Sequence, residues 1–159
     1  VKFYVHNILR STSPNLVGHD IMTCIHTLCC FKELNKPLRN MCKMKPKWIA
    51  INSLFYDGPL DVLIHIRDYN NRYIKDYNPD SDFNIFSISN VSKIFKKYGY
   101  KIYKVKQFFP LKSIAKKKGN VRGSHTIKTQ FNKFTTFSGP VYLPWHFIIA
   151  KRIKKNDRK

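Results

Sequence analysis

Acid is what this chain lacks. Nine Asp and Glu stand against 30 Lys and Arg in 159 residues, and Glu33 is the sole glutamate. Glycine is scarce as well. None of the six glycines is arranged as G-x-G or as a P-loop, so no Gly-rich phosphate cradle lies within this sequence. Four cysteines are too few for a disulfide scaffold. Cys24, Cys29, Cys30, Cys42, His19 and His26 fall close together, but no pair has the C-x-x-C spacing of a zinc knuckle. Cys24, Cys29 and Cys42 read as small apolar residues of a strand and a helix face, and no metal is expected. Asp76, Asn78, Asp80 and Asp82 imitate half a calcium loop. The sixth position is Ser81 and the twelfth Ser87, which leaves a solvated acidic loop. There is no G-x-S-x-G nucleophile elbow. No apolar run approaches the ~20 residues of a membrane span. The first residues lack a basic-then-apolar leader, so a cytoplasmic protein with no membrane partner is expected.

What is present is cationic and apolar. Apolar residues make up 43%, enough for one packed domain. The charge is uneven. Residues 1–56 carry net +6, residues 57–82 net −3, and residues 83–159 net +18. Such a surface attracts phosphates or nucleic acid. Lysine supplies 23 of the 30 cations and arginine seven. Lysine-rich drift of tolerant surface positions explains that bias, because phosphate and base-edge reading favours arginine. Phe108, Phe109, Phe131, Phe134 and Phe137 interleave with Lys112, Lys116–Lys118, Arg122, Lys128 and Lys133, a pattern that can stack bases. A half-buried hairpin needs the same phenylalanines, so nucleic acid is a partner left open without being favoured.

Along the chain, Val17–Thr27 reads as a buried strand led by Asp20. Cys29–Met44 has helical spacing at Leu34, Leu38, Met41 and Cys42, with Pro37 in the first turn. Lys47–Phe55 is a second strand, apolar almost throughout. Continuous apolar strands around a helix predict a parallel sheet covered on both faces. Asp57-Gly58-Pro59 is a turn. Leu60–Arg67 alternates in part, with His65 and Arg67 on one side, and predicts an additional strand. Asp68–Asp82 is a loop. Ser89 or Asn90 caps a helix that ends at Gly99. Tyr100–Phe109 and Trp145–Ile153 are strands, and His125–Gln130 with Phe134–Phe137 forms a hairpin. The tail, residues 154–159, is basic. Cys24 and His26 fall on one strand about 7 Å apart at Cα, which suits strand packing better than a dyad.

Three stretches in this order carry a resemblance. They are His19–Thr27 (H-D-I-M-T-C-I-H-T), Trp48–Gly58 (W-I-A-I-N-S-L-F-Y-D-G) and Val91–Phe109 with its Gly99-Tyr100 junction. The chain resembles the C-terminal half of a class I S-adenosylmethionine-dependent methyltransferase. The endings Arg122–Thr129 (R-G-S-H-T-I-K-T) and Phe137–Phe147 (F-S-G-P-V-Y-L-P-W-H-F) resemble a bacterial, uncharacterised subgroup. The resemblance implies an α/β fold: the last strands of a partial Rossmann-like methyltransferase sheet, including an antiparallel final strand, with an added β-hairpin. Residues 1–153 would be the C-terminal part of one methyltransferase domain. The Gly-rich loop and ribose-holding acid of that family precede this region and have no counterpart here. With Val at position 1, a piece of a longer enzyme is expected, which alone keeps one wall of the cofactor crevice. The implied cofactor is S-adenosylmethionine, and the implied reaction is methyl transfer by in-line displacement. Cys24, Ile25 and His26 would lie against the cofactor. Ser53, Phe55, Tyr56, His65 and Arg67 would face a methyl acceptor, small or otherwise. The resemblance implies neither a general base nor an oligomeric state.

Overall fold

Lys47–Phe55 has apolar side chains at nearly every position, which suits a strand with neighbours on both edges. In the computed structural model it becomes β2 (Trp48–Tyr56), the strand on which the sheet is built. The structure describes residues 6–10, 16–67, 80–115, 124–129 and 133–153. On one edge β2 pairs parallel with β1 (Ile21–Ile25), and on the other antiparallel with β10 (Trp145–Arg152). β10 pairs antiparallel with β6 (Tyr100–Gln107), giving the order β1-β2-β10-β6. The strands β1, β2 and β6 therefore run together, and β10 alone opposes them.

Two helices make the parallel crossovers: α1 (Asn35–Lys43) between β1 and β2, and α2 (Ile88–Lys97) between β2 and β6. Both crossovers step the same way across the sheet. Parallel crossovers are right-handed, so both helices fall on one face. One core cluster records this, joining Leu38 and Met41 of α1, Val91 and Phe95 of α2, and Ile51 and Ile148 of the sheet. Among the described residues no helix covers the opposite face.

Local chemistry sets the helix ends. Ser87 caps α2 by accepting from the Asn90 amide, two residues earlier than the expected cap. Gly99 follows α2 with φ +79°, the left-handed turn a helix end uses. α1 starts only at Asn35, because Leu28–Cys30 forms a separate 3-10 turn and Pro37 suits a first turn. The Tyr100 hydroxyl donates to the Pro46 carbonyl at 2.7 Å, and burial raises its pKa.

Two small sheets branch from the main one. β3 (His65–Arg67) pairs antiparallel with β4 (Asp80–Asp82), so the predicted strand at Leu60–Arg67 shrinks to three residues. β5 (Phe86–Ser87) then joins β2 in parallel beyond the point where β1 stops. β7 (Ser124–Lys128), β8 (Phe134–Ser138) and β9 (Val141–Tyr142) form the expected hairpin with one further short strand. The first strand departs from expectation. β1 is half open, with Ile21 61% and Ile25 48% exposed, because among the described residues it has one partner strand and no helix over its outer face. Asp76, Asn78, Lys116–Lys118, Arg122, Phe131 and the tail lie outside the described residues. No helix among the described residues is long and apolar enough to cross a membrane.

Candidate functional site at the carboxyl edge of the sheet

In open α/β sheets ligands sit outside the carboxyl ends of the strands, where the connections diverge. Here β1 ends at Ile25, β2 at Tyr56 and β6 at Gln107, while the reversed β10 begins there at Trp145. The two branch sheets leave from the same edge.

Leaving β1, the backbone turns sharply. His26 has φ +56°, its amide donates to the Asn52 carbonyl at 2.8 Å, and the Thr27 hydroxyl donates to the Ile25 carbonyl at 2.9 Å. The turn swings the His26 ring onto Trp145, with centroids 4.3 Å apart and planes 30° apart. This corrects the expectation that Cys24 and His26 share a face: β1 stops before His26. Cys24 instead packs against the helix-side core, and burial raises its thiol pKa. Ile25 points to the open face.

The predicted acceptor residues separate. Ser53 and Phe55 are both 0% exposed. Phe55 belongs to the helix-side core cluster, so it cannot face an acceptor, because every other side chain of β2 points at the helices. Ser53 lies on that same face, with its hydroxyl beside the Cys29 thiol. Tyr56 remains at the edge, 49% exposed. His65 and Arg67 already have partners across the ribbon. His65 Nδ1 lies 3.1 Å from Asp82, and Arg67 Nε donates to Asp80 at 2.9 Å. The hydrogen bond from Arg67 holds the Asp80 carboxyl below its ordinary range. The structure thus brings Ile25, His26 and Tyr56 to the open edge, buries Ser53 and Phe55, and ties His65 and Arg67 into the ribbon.

Four residues without an expected role build this edge. Trp145 stacks on His26, and an antiparallel last strand must begin at the carboxyl edge, so its position was readable once that pairing was expected. Asn52 is buried and donates from its amide to the His146 carbonyl at 3.0 Å. Asn84 is 3% exposed and makes three hydrogen bonds to two separate segments. Its backbone amide donates to the Cys29 carbonyl at 2.8 Å, its side-chain amide to the Phe31 carbonyl at 2.8 Å, and its Oδ1 accepts from the Ile64 amide at 2.9 Å. Cys30 is exposed, and the neighbouring Cys29 thiol, 4.0 Å away, brings its pKa down to about 7. The same contact, with burial, pushes Cys29 up.

As a cradle for S-adenosylmethionine the edge fits on one side. Ile25 offers exposed apolar area, and the exposed His26 ring, backed by the nearly buried Trp145, offers a flat aromatic surface next to it in the chain. No carboxylate among the described residues of these strands faces the edge to hold a ribose. Asp20 stands at the other end of β1, bound to Lys47 at 2.6 Å. No group of three metal-ligating side chains occurs among the described residues.

Comparison with known proteins adds the fold. No family model matches the chain, and no curated protein does. Among solved structures it is similar to the citrinin polyketide synthase CMeT domain, at 15% identity over 96% of this chain and a TM-score of 0.47. It is also similar to a SAM-dependent methyltransferase from Methanosarcina mazei, at 11% identity over 97% of this chain and a TM-score of 0.53. The chain spans 33% of the first of those chains and 68% of the second. The likeness to the second structure bears on the fold alone: a mixed α/β sheet with helices on one face.

Proposed function

We propose that this chain is the C-terminal part of a methyltransferase that moves a methyl group from S-adenosylmethionine to an acceptor still to be identified, and that it works as a piece of a longer enzyme. The observation that carries the reading is the strand order β1-β2-β10-β6 with β10 alone reversed, set with an open carboxyl edge. The similarity to the Methanosarcina mazei structure supports it at the level of fold.

Bound there, the cofactor would supply an electrophilic methyl group on sulfur. The chain's own residues would bind and orient. Ile25 would cover apolar surface, and the His26 ring, backed by Trp145, would stack on a flat ring. Tyr56, at the end of β2, is the one predicted acceptor residue left exposed at the edge. Buried Asn52 holds this geometry in place, since its backbone carbonyl takes the His26 amide and its side chain grips the start of β10. Rate enhancement would come from proximity and orientation, for which no general base is needed. The opposite wall, with the ribose-holding acid, would come from outside the described residues.

Calorimetric titration of the chain with S-adenosylmethionine tests this. The expected result is a saturable heat that Ile25→Asp removes and that S-adenosylhomocysteine competes away. Equal heats for wild type and Ile25→Asp would refute the placement.

A further inference from the structure

The face of the sheet that no described helix covers carries a second feature that methyl transfer does not use. The four strands β1, β2, β6 and β10 contain no Asp or Glu. Lys101, Lys104 and Lys106 of β6 and Lys151 of β10 are all exposed. Lys101 lies directly opposite Lys151 in the ladder. Like charges placed so destabilise a sheet, and neither lysine has an ion-pair partner among the described residues. An anion bound between them would remove that cost.

Aromatic rings lie in the same place. The Lys151 ammonium stands 5.2 Å over the Trp48 ring, and Tyr103 meets Trp48 edge-on at 5.5 Å and 82°. Tyr103 is the extra residue of the β6 bulge, skipped by the register between Ile102 and Lys104, and it is 70% exposed. A large ring 70% exposed and braced by a second ring is an available stacking surface. The hairpin phenylalanines do not offer the same: Phe137 is packed between His125 and Tyr142, and Phe109 lies under the Lys133 ammonium.

We propose that this strip binds single-stranded nucleic acid, with Lys101, Lys104, Lys106 and Lys151 on phosphates and Tyr103, braced by Trp48, stacking on a base. The lysines of β6 run over six residues, ~17 Å of strand, long enough to track a backbone. A flat strip with no projecting helix suits a strand with unstacked bases better than a duplex groove. The aromatic pair distinguishes the partner from a purely acidic surface. The site stands whether or not the carboxyl edge takes S-adenosylmethionine.

Fluorescence anisotropy with a labelled oligouridylate tests it, using the full chain across a salt series. Each phosphate-bound lysine contributes ~0.7 to the slope of log affinity against log salt, so Lys101→Ala with Lys151→Ala should flatten the slope by about 1.4. Tyr103→Ala should weaken oligouridylate about 5- to 150-fold and leave inorganic polyphosphate binding unchanged. Both changes are at exposed positions, and unaltered melting would verify that the variants are folded. The proposal is overturned if these variants bind oligouridylate as wild type does, which would place binding on other cations. It is overturned equally if polyphosphate and oligouridylate lose the same from Tyr103→Ala, or if sedimentation shows a second copy of the chain closing this face.

Discussion

Asn84 is the residue whose removal should most disturb the carboxyl edge. Its side chain satisfies two backbone groups in different segments, the Phe31 carbonyl and the Ile64 amide, from a position 3% exposed. Asn84→Ala deletes both bonds and puts nothing in their place. A buried backbone group left without a partner costs about 1–3 kcal/mol, so two cost about 2–4 kcal/mol after partial hydration of the part-buried sites. In a domain of this size each kcal/mol lowers Tm by about 2–4 °C, which predicts a drop of about 5–15 °C by circular dichroism. Hydrogen exchange should quicken first at Ile64, whose amide loses its only side-chain acceptor. Asn90→Ala is the control. Its amide donates to Asp61 at an exposed position, and its loss should cost under about 1 kcal/mol. The reasoning fails if Asn84→Ala melts within 2 °C of wild type, or if the two variants are equally destabilised.

Cys30 should be the first cysteine to react with iodoacetamide, with a pH midpoint of about 7, because thiolate is the reactive form and the Cys29 thiol stabilises it. Cys42, pushed up to about 12 by burial, should react only as the protein unfolds, and a Cys30 midpoint at 8.5 or above would contradict the pairing. Asp80→Asn should cost little, since the Arg67 pair is solvated. The Asp80 pKa is depressed in the folded state, so the contribution is present above the unfolded carboxylate value of about 3.9 and is lost as pH falls through the folded one. The stability difference between Asp80→Asn and wild type should therefore be seen at pH 6 by urea titration and vanish in acid; a difference that persists in acid counts against it.

The strands were legible because periodicity reports burial directly. Trp48–Tyr56, Tyr100–Gln107 and Trp145–Arg152 lie within a residue or two of the predicted segments, and the hairpin paired as its sequence suggested. The errors came where position in the sheet outweighs local pattern. Ile21 and Ile25 are apolar and yet exposed, because among the described residues β1 lies at an edge under no helix. The resemblance sets Ser53, Phe55 and Tyr56 together against an acceptor, but the strand repeat of two sends Phe55 to the core and Tyr56 to the edge. The resemblance turns His65 and Arg67 toward an acceptor, while their partners Asp80 and Asp82 lie across a ribbon no short-range pattern announces. The His26–Trp145 stack joins residues 119 positions apart, and only the sheet order brings them together.

The central claim is that the carboxyl edge, at the end of β1, is where S-adenosylmethionine rests. Titrating the isotopically labelled chain with S-adenosylmethionine while following backbone amide resonances tests it most directly, because it detects weak binding and locates it. The account predicts saturable shifts at Ile25, His26 and the Trp145 indole, with Lys101 and Tyr103 on the basic strip unmoved. Shifts confined to the basic strip, or none at millimolar cofactor, would contradict it.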